Sequence, residues 1–213
     1  MGATKQAAGL AVVALVAVAS FAVTVVLLHP LRPDYDPARR FISEFAIGPY
    51  HTLMTAAFFA LATGSFALTL ALWRAGARSR PGITLLGIWS AGVVIVGIFP
   101  TDLQFTGRPK TLAGTIHDDT TLVAFVSIMT AMLVLSYHMR RLWPSWCRAA
   151  MALAVASLVE FGVLFVSVGA GWPGWPQRLY VATIVAWLLL TAARVRSAAA
   201  GVATVGECAM AIG

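Results

Sequence analysis

One acid, Glu160, stands inside the apolar run "AVASLVEFGVLFVSVG", which extends from Ala154 to Gly169. A charged side chain at mid-bilayer costs at least about 2.5–3.5 kcal/mol on insertion scales, so such a residue faces protein or a cavity. Held neutral in an apolar chamber, a carboxylic acid is a proton donor. It can protonate an alkene or epoxide of an isoprenoid chain, and the aromatic faces of Phe161, Trp172 and Trp175 could stabilise the resulting cation. Water exclusion would protect that cation. On a helix, Ser157, Glu160, Leu164, Ser167 and Gly171 share one side. This stripe predicts a cavity with Glu160 at its floor, roughly 16 Å below the mouth by helix rise. The alternative is that Glu160 only hydrogen-bonds neighbouring helices and holds them together.

Three more residues have chemical potential at what would be the mouth. Asp102 follows Pro100 in "GIFPTD", next to the C-terminus of an apolar segment, where the helix dipole disfavours an anion. Arg178 opens a later segment, where the dipole disfavours a cation. Each is misplaced alone, and a pair between them would satisfy both. His117, in "TIHDDTT", lies close in sequence to Asp102, Asp118 and Asp119. Thr115 and Asp118 match a T-x-x-D capping box. Acid–base catalysis would therefore fall to Glu160, Asp102 and His117. Glu44, Arg178, Phe161, Trp172 and Trp175 would contact the substrate. The four histidines have no metal-type spacing, so neither a metal nor another cofactor is expected.

The elements that must position these residues are membrane helices. Of 213 residues, 60% are hydrophobic and only 11% charged, against about 25% charged in a soluble domain. Six apolar runs, roughly 7–28, 50–73, 82–99, 119–137, 149–170 and 177–193, approach or exceed the ~20 residues that cross a hydrocarbon core. The first run is too long for the apolar part of a signal peptide. The expected fold is all-α: one polytopic bundle of six transmembrane helices over residues 1–196, followed by a mobile cytosolic tail, 197–213. In "HPLRPDYDPARRFISEFAIGPY", Asp36 and Pro37 read as an N-cap and a first helical proline. Phe41, Ile42 and Phe45 then fall at helical spacing, predicting a short amphipathic helix to Ala46. It would lie at the interface as an anchor, or cover a cavity as a lid. Arg40 and Glu44 are spaced to pair.

With both termini inside, nine cations (Lys5, Arg74, Arg78, Arg80, Arg140, Arg141, Arg148, Arg194 and Arg196) are cytosolic. Six (Arg32, Arg39, Arg40, Arg108, Lys110 and Arg178) are outside. The net charge of +7 is thus a matter of topology in a cell membrane protein and does not call for nucleic acid. Cys147 and Cys208 are isolated and on the cytosolic side, where a disulfide is not expected.

The stretches "ISEFAIGPYHTLMTAAFFALATGS", "GIFPTD", a G-x-I-H-D before the fourth span and "QRLYVATIVAWLLL" at the sixth resemble, in this order, the bacterial family called domain of unknown function 998. The resemblance covers nearly the whole chain. It implies a six-helix integral membrane protein and no established activity. Its pattern singles out Glu44, Asp102, His117 and Arg178; Glu160 is not part of it.

The function expected from these residues is an intramembrane acid–base enzyme acting on a lipid-like substrate in an outward cavity. Its most concrete form is proton-initiated cyclisation or isomerisation of an isoprenoid, as in a membrane terpene cyclase, with a lipid hydrolase as a variant. The alternatives are a proton-coupled transporter of a small molecule or lipid, and a non-catalytic accessory protein. The partners expected are the lipid bilayer and a hydrophobic small molecule.

Overall fold

A computed structural model describes residues 2–77 and 79–211, with the side chains of 3–77 and 79–199. It contains six α-helices: α1 (Gly2–Leu31), α2 (His51–Arg74), α3 (Arg80–Ile98), α4 (Leu112–Met139), α5 (Pro144–Gly169) and α6 (Gly174–Ala211). All six are long and apolar enough to cross a membrane. The protein is an all-α, multi-pass membrane protein. The backbone stays helical beyond Ser197, while the side chains of Glu207 and Cys208 lie outside the described residues.

Each helix packs on the next, and α6 closes the ring against α1 while also touching α2 and α4. Small residues permit the close contacts. Ala7, Ala11, Ala14 and Val18 form the buried face of α1, and Gly64 of α2 lies where a side chain would collide with Val18. Several polar groups within the core are paired between helices. Trp89 Nε1 donates to Ser65 Oγ at 3.0 Å, Trp187 Nε1 to Ser136 Oγ at 3.2 Å, and Tyr180 Oη to the Phe125 carbonyl at 2.9 Å. In hydrocarbon such groups have no water to turn to, so they bond to protein.

Segments 32–50, 99–111 and 170–173 join helices at one end, here called the long-loop end; the short links from α2 to α3 and from α4 to α5 lie at the other. Several helices start earlier than the sequence expectation, and two of these starts have a local cause. Helix α4 begins at Leu112, seven residues before the expected span, because Thr111 is its cap: the Gly114 N–H donates to Thr111 Oγ at 3.0 Å. The capping role expected for Thr115 is not observed, and its hydroxyl donates back to the Thr111 carbonyl. Helix α5 begins at Pro144, a first-turn proline whose missing N–H costs nothing there.

The amphipathic helix expected over 37–46 is broken in two. Asp36 Oδ1 accepts the Ala38 N–H at 2.9 Å and starts one turn, but the chain extends at Phe41 and resumes as a 3-10 helix, Ile42–Ala46. The cause is the start of α6. Gly174 N–H donates to the Ala38 carbonyl and Arg178 Nη1 to the Arg40 carbonyl, both at 2.9 Å, while Gln177 Oε1 accepts the Ile42 N–H at 2.7 Å. The donors and acceptors a continuous helix needs are thus used by α6. Gly174 cannot be replaced without cost, since a Cβ there would run into the backbone of Pro37 and Ala38. The segment is neither a free interfacial anchor nor a detached lid. It is wedged into the end of the bundle, with Ile42, Glu44 and Phe45 buried.

Candidate functional site

A cavity of about 520 Å³ opens at the long-loop end between the 3-10 segment, the 99–111 loop, α4, α5 and the start of α6. Its outer rim is polar, with Gln104, Lys110 and Asp118, and the buried Gln177 adds an amide to the lining. Most of its wall is apolar and rich in phenylalanine, with Phe41, Phe105, Phe125, Phe161 and Phe165. Leu122 on α4 and Phe165 on α5 line the cavity and are also 52% and 72% exposed on the outside of the bundle. The cavity therefore opens sideways between α4 and α5, toward where lipid chains would lie.

His117 is 2% exposed and belongs to the cavity wall. Its Nδ1 lies 2.8 Å from the Phe99 carbonyl. A carbonyl only accepts, so Nδ1 carries the hydrogen and Nε2 is left as the basic nitrogen of the neutral ring. One turn along α4, Thr121 Oγ1 is buried without a partner and lines the same cavity. Lys110 Nζ and Asp118 form an ion pair at 2.5 Å on the rim.

Of the remaining residues expected to act, only Phe161 lines this cavity. Asp102 sits over the N-terminus of α4: its Oδ2 accepts the Thr111 N–H at 2.7 Å, and Thr111 Oγ donates to Oδ1 at 3.0 Å. The positive end of the α4 dipole supplies the compensation that Arg178 was expected to give. No ion pair joins Asp102 and Arg178. The Arg178 guanidinium donates from Nε to His29 Nε2 at 2.9 Å and from Nη1 to the Arg40 and Gly174 carbonyls. It also lies over the ring of Tyr35 at 5.4 Å. Arg178 thus fastens α1, the 32–50 segment and α6 together, and its Nη2 is buried without a partner.

Glu44 is 1% exposed and fully engaged. Its Oε2 accepts from Arg40 Nη1 at 2.7 Å, the pair expected from their spacing, and its Oε1 accepts the Phe41 N–H at 3.0 Å. It holds the 3-10 segment in shape and does not reach the cavity. Trp172 and Trp175 are exposed at the bundle end and also lie off the cavity wall. Phe161 does line it.

Glu160 is not the floor of the cavity. The wall reaches Phe161 and Leu164 and stops there, while Glu160 turns toward α6, where Thr183 Oγ1 donates to its Oε1 at 2.9 Å. Its Oε2 is buried without a partner. The rest of the expected polar stripe is equally inward-turned: Ser157 and Ser167 hydroxyls donate to the carbonyls of Ala154 and Leu164 in their own helix.

Outside the membrane-length helices, two ionisation shifts have clear causes. The Arg32 guanidinium, bonded to Asp34 at 2.8–2.9 Å, holds that carboxyl below the usual carboxylate range. Burial pushes the Tyr35 phenol up, with the Arg178 charge acting in the opposite direction. Among the described residues, no group of three His, Cys, Asp or Glu side chains is placed to hold a metal ion.

Sequence reasoning missed Gln104, Thr121 and Phe125 in the wall, and Gln177 as the link to the 3-10 segment. Thr121 carried a signal: it is one helical turn from His117 and shares its face. Gln104 carried none, because its place depends on how the 99–111 loop folds.

The family model described as "Protein of unknown function (DUF998)" matches residues 15–194, most of the chain. The protein belongs to this family. No curated protein and no solved structure matches the chain.

Proposed function

We propose that the protein admits a lipid-like molecule sideways from the bilayer into the cavity between α4 and α5 and acts on it by acid–base chemistry, with His117 as the base. The observation that carries this proposal is the cavity's shape and chemistry: a polar rim, an apolar wall continuous with the lipid-facing surface, and a buried imidazole in that wall whose Nδ1 is held by the Phe99 carbonyl. Lipid tails would rest against the phenylalanines, whose faces suit an unsaturated isoprenoid chain. The polar portion would lie at the rim beside His117, Gln104 and Lys110. His117 Nε2 would take a proton from a substrate hydroxyl or from water, and the Phe99 carbonyl would steady the imidazolium formed.

In this scheme the long-loop end faces outward from a cell membrane and both termini are cytosolic, in keeping with the nine-to-six distribution of cations. Glu160 has no part in the chemistry, because it does not border the cavity. Proton-initiated cyclisation from Glu160 therefore loses its geometric basis, while isoprenoid or other lipid conversion through His117 keeps one.

The test uses the protein in nanodiscs with a lipid extract, followed by mass spectrometry of the lipids and labelling by a lipid with a photoreactive tail. Conversion by the wild type, its loss in His117→Gln, and retained labelling in that variant are expected. Labelling without conversion by the wild type would shift the role to lipid binding or transport. An unlabelled cavity would overturn the proposal.

A further inference from the structure

We infer that the molecule taken into this cavity carries a phosphate headgroup, held by Arg39 and Arg40 in a recess beside the cavity rim. This rests on the lipid-binding role proposed above and specifies the class of lipid. The recess, of about 370 Å³, shares Gln104 and Phe105 with the cavity, so the two are neighbouring compartments with a common wall. Every polar side chain lining it can donate: Arg39, Arg40, Gln104 and Thr106. No carboxylate does so.

The two guanidiniums differ in freedom. Arg40 is anchored through Nη1 to the buried Glu44, which fixes its position. The Arg39 side chain is 75% exposed, and its nearest acid, Asp36, is 3.9 Å away and itself exposed. Such a pair contributes little and is readily exchanged for a better partner. Planar guanidinium groups match phosphate oxygens with paired, charge-assisted hydrogen bonds. An apolar cavity reached from the bilayer, next to a recess lined by two guanidiniums and no carboxylate, fits an amphiphile with a hydrocarbon tail and an anionic phosphate head.

Phe105 is a second, independent mark of this junction. Its backbone is left-handed, with φ 59°, a conformation that costs a non-glycine residue free energy. Its ring stacks on Phe41 with centroids 6.3 Å apart. The strain holds a phenyl ring at the boundary between the apolar and cationic compartments, where the neck of such a lipid would pass.

The experiment compares two photoreactive lipids with the same isoprenoid tail, one ending in phosphate and the other in hydroxyl, on the full-length protein in phosphatidylcholine nanodiscs. Labelling of cavity residues by the phosphate lipid should be about tenfold more efficient. Arg39→Glu should remove that preference and leave hydroxyl-lipid labelling unchanged. Arg40→Lys keeps a cation for Glu44 but loses the planar fork, and should reduce the preference with little change in Tm. Inorganic phosphate at millimolar concentration should not compete. Equal labelling by the two lipids would overturn the headgroup assignment while leaving the lipid cavity intact. Competition by inorganic phosphate would make the recess a site for free phosphate and overturn the link to the tail. Labelling by neither lipid would overturn the cavity proposal as well.

Discussion

The carboxylate of Asp102 lies directly against Gly114, so close that a methyl group on Gly114 would overlap it. The acid occupies the space left by the missing side chain and accepts the Thr111 N–H. Gly114→Ala is expected to displace the carboxylate and loosen the start of α4. Asp102→Ala should relieve part of that cost. The coupling in a double-mutant cycle, read from melting in detergent, should be about 1–3 kcal/mol. The same cycle between Asp102 and Arg178 should be additive, since those residues share no partner.

Gln177 links α6 to the 3-10 segment through the Ile42 N–H. Gln177→Leu leaves that buried donor unpaired and should cost about 1–3 kcal/mol. Gln177→Glu retains an acceptor and should cost less. Melting of both variants tests the order, and equal losses would contradict the role given to this hydrogen bond.

Tyr35 supplies a pH dependence. Burial raises its phenol in the folded state above the ordinary value of about 10. A raised pKa gives stability that is fully present below the unfolded pKa and is lost as pH rises toward the folded one. Above about pH 10 the unfolded chain releases this proton and the folded protein resists. Tyr35→Phe cannot ionise, and it also loses the hydrogen bond to the Phe41 carbonyl. The variant should melt lower at pH 8, and its Tm should fall less steeply than the wild type's above pH 10. Parallel Tm curves would contradict the buried phenol.

Glu160 should behave as a helix-linking residue. Its coupling to Thr183 should be about 0.6 kcal/mol, and no more than about 1.7, as for other hydrogen bonds inside membranes. Glu160→Gln should leave lipid labelling and conversion unchanged. Loss of conversion in that variant, with Tm unaltered, would restore the acid to the mechanism.

The helices were legible in the sequence because bilayer thickness imposes a length that composition alone reveals. The ends of the helices were less so. Thr111 caps α4 only because the 99–111 loop folds back to put Asp102 above it, and local spacing at Thr115 offered an equally good cap. The 37–46 segment carried a true helix signal, with its N-cap at Asp36 and its apolar period, and lost to tertiary hydrogen bonds from Gly174, Gln177 and Arg178. Glu160 was conspicuous because an acid in an apolar run is rare. Its angular position on α5 does not distinguish a cavity from the α6 interface, which only packing decides. His117 combined a family pattern with a place in the wall, whereas the cavity's opening to lipid depends on the separation of α4 and α5 and left no mark in the residues.

The central claim is that a lipid enters between α4 and α5, and it is tested most directly by mapping where a lipid with a diazirine tail attaches in nanodiscs. The inner-wall residues Thr121 and Phe125 should carry adducts along with the outward-facing Phe165, and Leu164→Trp, which fills the cavity, should remove the inner adducts only. Adducts confined to lipid-facing positions such as Val159, Val163 and Val166, unaffected by Leu164→Trp, would contradict it.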